Sequence, residues 1–212
     1  MTSEAMQNAR PENEIRATLE SMICDPGSAP AAIADLLDEL DPDARPRIVR
    51  RLGRGDQRLL YAKVQGFRPV GLTDLVPPDR GDLVEVRHLG RNSLPAFTIF
   101  EKRFCRLPGS PADAPEALAG YNFQALSPIT GPGYFMAVED PATREVLVDY
   151  RRVPDRKPAD WPGIRSNEKG LARFVYGFMV DRLRRVSEHV TIGSASRKGR
   201  ELGSYFILCR EA

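Results

Sequence analysis

In EKGLARFVYGFMVDRLRRVSEHVTIGSASRKGRELGSYFILC, residues 168–209, the apolar side chains change their spacing partway along. Leu171, Phe174, Val175, Phe178, Met179, Leu183 and Val186 recur as one stripe of an amphipathic helix, which predicts a helix over 168–189. The runs 190–196 and 204–209 then alternate like strands, with a turn at Arg197-Lys198-Gly199 between them. A long helix leading into a hairpin predicts a helix laid against a sheet. It does not specify a chemistry.

Upstream, the same period-two signal marks strands at 83–88, 96–105, 121–126, 134–139 and 146–153. Asp140-Pro141-Ala142-Thr143 reads as the turn of a hairpin. Closer to the N-terminus the period is helical. Short helices are expected from 12 to 23, from 31 to 40, after Asp41-Pro42, and after Asp56, with breaks at Asp25-Pro26-Gly27, Gly53 and Gly66. The apolar sets Leu36/Leu37/Leu40, Ile48/Val49/Leu52 and Leu60/Tyr61/Val64 follow one another at a fixed spacing. Helices this short must pack on one another to persist.

The fold class predicted is therefore α+β: an N-terminal cluster of short helices, then a mostly antiparallel sheet packed on one long helix. The boundaries expected are a disordered tail over 1–11, a helical module over 12–66, a proline-bearing linker over 67–82 and an α+β domain over 83–212.

Composition narrows the function classes. With 42% hydrophobic and 28% charged residues the chain has enough apolar content for a sizeable core. The net charge of +2 is too small to argue for nucleic acid, and with only Tyr150 and Trp161 among the basic residues to stack bases, nucleic acid is not an expected partner. Charge is nevertheless segregated: residues 1–43 carry ten acids against two arginines, and 44–68 carry seven arginines and a lysine against one aspartate. The expectation is that these blocks face each other or are solvated, with a protein partner as the alternative. No apolar run approaches the roughly 20 residues needed to span a bilayer, and the polar start has no secretory character. Cys24, Cys105 and Cys209 lack paired spacing and read as reduced thiols. Together these predict a cytoplasmic protein without a membrane span.

Motifs for catalysis are incomplete. His88 and His189 are the two histidines, and they have no metal-ligand spacing, so no metal and no cofactor is expected. His189 beside Glu188 could be a general base, but neighbours on a helix do not face each other; a helix-terminal histidine is the expected role. An acid–base site would need His88 and His189 to converge with Glu188, Asp149 or Glu101. Thr130-Gly131-Pro132-Gly133-Tyr134 reads as a tight turn entering a strand, and phosphate-loop, dinucleotide and nucleophile-elbow patterns are absent.

What stands out is a surplus of aromatic residues over strands. Tyr121, Asn122, Tyr134 and Tyr150 combine apolar walls with hydroxyl and amide anchors, the composition of a small-ligand pocket. Arg173 or Arg185, from the basic side of the predicted helix, could face an acidic head group. The expected function is a binding protein holding an apolar or amphipathic small molecule between helix and sheet. An adaptor acting through the charged helices, or a small enzyme using His88 or His189, are the alternatives.

Overall fold

Eight strands run up and down in chain order and close on themselves in the computed structural model, which describes residues 11–95, 98–124, 131–168, 170 and 172–211. They are β1 (Val86–Asn92), β2 (Ile99–Arg106), β3 (Leu118–Phe123), β4 (Tyr134–Asp140), β5 (Glu145–Asp149), β6 (Met179–Arg185), β7 (Val190–Arg197) and β8 (Arg200–Arg210). Each pairs antiparallel with the next, and β8 returns to β1, with Gly90 opposite Leu208. Closure leaves no unpaired sheet edge among the described strands.

This corrects the predicted α+β class. The 168–189 helix does not exist: the region holds one helical turn, α6 (Ala172–Val175), followed by β6 and a turn. A side chain at Gly177 would place Cβ 2.3 Å from the Arg173 carbonyl oxygen, and Phe178 adopts φ of 59°, so the turn stops there. From Met179 onward the period is two. Met179, Asp181 and Leu183 point into the barrel while Val180, Arg182 and Arg184 point out, in register with β5 through Val148↔Asp181 and Val146↔Leu183. Lys169 and Leu171 of the predicted helix, Ala96 and Phe97 of the predicted second strand, residues 125–130 and the tail residues 1–10 lie outside the described residues.

The remaining predicted strands correspond to β1–β5, β7 and β8 with shifted ends. The β4–β5 turn forms at Asp140, whose carboxylate accepts from Ala142 N at 3.2 Å and Thr143 Oγ1 at 2.9 Å. The β7–β8 turn forms at Lys198 and Gly199, both left-handed.

Inward positions build the main core: Phe100, Phe104, Leu118, Phe135, Val146, Val148, Leu183, Phe206 and Leu208. Eight strands enclose a lumen that side chains can fill or that can hold one small molecule. Here large rings reach across it to small residues. A Cβ at Gly193 would lie 2.2 Å from the Phe206 ring, and one at Gly120 would lie 2.3 Å from Phe135, so both positions need glycine for the rings to fit.

One end is sealed by α5 (Leu72–Leu75). Leu72 and Leu75 are fully buried, and Leu72 N donates to Glu139 Oε1 at 2.8 Å. His88 Nε2 meets the Leu75 carbonyl at 2.9 Å and holds this plug from inside.

Four helices, α1 (Glu12–Cys24), α2 (Pro30–Asp38), α3 (Ala44–Val49) and α4 (Arg54–Lys63), cover the outer face of β7 and β8. Leu19, Ile23, Ile33, Leu37, Ile48 and Leu60 share one core with Val190, Ile192, Ile207 and Cys209. The expected helical module is thus corrected: its apolar faces pack against the barrel wall. Polar ties follow the same seam. Buried Arg45 donates to the Leu37 and Leu40 carbonyls at 2.8 and 3.0 Å, closing the end of α2. The segregated charges meet in part, through Arg47–Glu12 at 2.8 Å.

Candidate functional site

At the end opposite α5 the lumen opens into a cavity of about 340 Å³. Phe100, Phe206, Tyr150, Tyr176, Met179 and Ala195 give it apolar walls. Its rim is apolar as well: Leu94, Phe174, Val175 and Leu202 are exposed there, Phe174 to 74%. Arg197 fixes one side of the rim by donating to the Phe174 and Val175 carbonyls, both at 2.9 Å, which holds α6 over β7.

Polar groups converge inside these walls. Strand alternation along Phe100, Lys102 and Phe104 turns Lys102 inward, and the β2–β3 register puts Asn122 directly across from it. Asp181 enters from β6 and Tyr150 from the end of β5. Lys102 is 2% exposed, yet its ammonium is fully engaged: Nζ donates to Asp181 Oδ2 at 2.9 Å, to Asn122 Oδ1 at 3.1 Å and to the Tyr150 hydroxyl. The Tyr150 hydroxyl donates to Asp181 Oδ2 at 3.1 Å and accepts from Asn122 Nδ2 at 2.9 Å. The ammonium also sits 4.9 Å from the ring centres of Tyr150 and Phe206 and 5.1 Å from that of Phe135.

Removing a charge from water is costly, and this cluster reduces the cost with opposite charge, hydrogen bonds and aromatic faces together. Burial lowers the Lys102 pKa from its ordinary value, opposed by the Asp181 carboxylate. Burial also raises the Tyr150 pKa well above the phenol range, with the Asp181 charge adding to it, so Tyr150 stays protonated and can donate.

The six residues proposed from sequence are dispersed. Asn122 and Tyr150 line the cavity. Tyr121 and Tyr134 point outward from β3 and β4 and are buried under the 154–168 loop, with Tyr121 and Trp161 centred 4.8 Å apart. Trp161 pins that loop by donating to Glu85 Oε2 at 2.7 Å. Arg173 is exposed on α6, next to the rim residues. Arg185 lies at the sealed end, paired with Asp74 at 2.8 Å. Lys102 and Asp181, the charged heart of the cavity, escaped sequence reasoning. The available signal was a charged residue on the inward face of an apolar strand: Lys102 between Phe100 and Phe104, and Asp181 between Met179 and Leu183.

The histidines lie elsewhere. His88 is enclosed at the plug, and burial pulls its pKa down to about 3. His189 sits in the β6–β7 turn rather than at a helix end, 3.8 Å from Glu188, and that turn docks on α2 through Glu188 N and Asp38 Oδ1 at 3.0 Å. Among the described residues no three histidine, cysteine or acidic side chains gather into a metal site, and no helix is long and apolar enough to cross a membrane. Burial raises the Cys105 and Cys209 thiols to about 12, the behaviour of packing residues rather than nucleophiles.

The chain matches no known protein family, no curated protein and no solved structure.

Proposed function

We propose that the barrel binds a small apolar or amphipathic molecule in its open end. One observation carries this reading: a cavity of about 340 Å³ with aromatic and aliphatic walls, an apolar rim and a few buried polar groups. That size falls in the ordinary range for small-molecule sites, and the mixture of apolar wall and sparse polar anchors is what such sites use for affinity and orientation. The opposite end is closed by α5, so a ligand enters past Leu94, Phe174 and Leu202. Burial of a ligand's chain supplies the driving force, at about 25 cal/mol per Å² of apolar surface removed from water.

Titration with Nile red, a neutral dye whose emission rises in apolar surroundings, tests this. The wild-type protein is expected to bind it saturably. Ala195→Trp, which fills the cavity from β7, is expected to abolish the signal while the denaturation midpoint shows the barrel still folded. Equal binding by the folded variant places the dye elsewhere and overturns the reading.

A further inference from the structure

Deepening that reading, on which it rests, we infer that the cavity selects a ligand whose buried polar end is a neutral hydrogen-bond donor, such as an alcohol, and discriminates against a carboxylate or a bare ether. The hydrogen-bond valences of the cluster are nearly all used. The three ammonium protons of Lys102 already go to Asp181 Oδ2, Asn122 Oδ1 and the Tyr150 hydroxyl. The phenolic proton of Tyr150 goes to Asp181 Oδ2. Asp181 therefore takes two donors on one oxygen, while its other oxygen, Oδ1, is buried without a hydrogen-bond partner among the described residues. The Asp181 side chain is 4% exposed and lines the cavity.

An unpaired carboxylate oxygen in a low-dielectric site is an open acceptor that costs free energy until a donor reaches it. A ligand hydroxyl supplies that donor. A ligand carboxylate at this depth finds all three Lys102 protons committed and brings a second negative charge toward Asp181; Arg197, the other cation of the lining, stands beside Phe174 and Val175 at the rim. An ether fills the same apolar space but leaves Oδ1 as it was. Charge points the same way. Lys102 and Asp181 already balance each other, so a neutral donor completes the pair without adding an uncompensated charge beside it.

Competition against bound Nile red tests this with three matched probes: decanol, decyl methyl ether and decanoate at neutral pH. Decanol is expected to displace the dye at a concentration at least about tenfold below that of either analogue, the discrimination a hydrogen bond to a charged acceptor provides. In Lys102→Met/Asp181→Leu, which replaces both charges with apolar groups, decanol and the ether are expected to compete equally while the dye still binds. If the wild-type protein takes decanol and the ether equally, or prefers decanoate, the donor rule is overturned and the cavity's role in binding stands. If it binds neither dye nor probes, the binding function itself fails. Should the double variant not fold, the wild-type ranking alone decides between these outcomes.

Discussion

His88 carries a neutral imidazole into the sealed end of the barrel. Its Nε2 must bear the proton, because the atom it meets is the Leu75 carbonyl oxygen, and Nδ1 has no partner among the described residues. Burial holds its pKa down at about 3, against 6.5 for a solvated ring. The unfolded chain therefore binds a proton across that interval that the folded chain does not. Stability is fully present above about pH 6.5 and is lost as pH falls toward 3, by at most about 1.4 kcal/mol per unit. His88→Gln, which keeps an N–H for Leu75, should flatten urea midpoints measured from pH 7 down to about 4. Wild-type and variant profiles that decline in parallel would assign the acid sensitivity to other groups. Lys102 and Asp181 show why such residues are hard to read in advance. A charged side chain usually marks the solvent face of a strand, and only the β-barrel geometry, with Asn122 and Tyr150 beside them, makes an inward pair tolerable.

At the level of elements, the legible parts were those with local punctuation. Helices α1 to α4 were readable from apolar spacing and from breaks whose mechanism the structure shows. Asp25 accepts from Gly27 N and Ser28 Oγ to stop α1, Asp41 Oδ1 accepts from Asp43 N and Ala44 N ahead of α3, and Asp56 accepts from Gly53 N in the first turn of α4. Strand β8 was readable because its run Tyr205–Cys209 is apolar on both faces: Phe206 and Leu208 face the lumen while Ile207 and Cys209 face the helices. Strand β6 was not readable. Phe174, Val175, Phe178, Met179, Leu183 and Val186 satisfy a helical period, and Asp181 breaks the strand period at the position where the lumen needs a charge. Within the cavity, Asn122 and Tyr150 were recognisable, but Tyr121 and Tyr134 sit on the opposite face of their strands. The difference is one residue of register, which sequence leaves undetermined when the 154–168 loop makes both faces apolar.

For the whole molecule, the helices and the barrel complete one another. Removing residues 1–66 would uncover Val190, Ile192, Ile207 and Cys209, a contiguous apolar area on the barrel wall. The 67–212 fragment is therefore expected to self-associate in size-exclusion chromatography or to lose cooperative unfolding. A monomeric fragment with the parent's midpoint would make 12–66 a separable appendage.

A lumen that is a binding chamber holds the ligand's chain among its own inward side chains. Isotope-filtered nuclear Overhauser spectroscopy, with unlabelled decanol on the labelled protein, locates a bound chain directly. Contacts are predicted from the alkyl chain to the Met179 and Ala195 methyl groups and to the rings of Phe100, Phe206 and Tyr176, which line the cavity. Contacts confined to Trp161 and Tyr134 on the outer wall, to the α1–α4 helices, or absent altogether at saturating decanol, would contradict it.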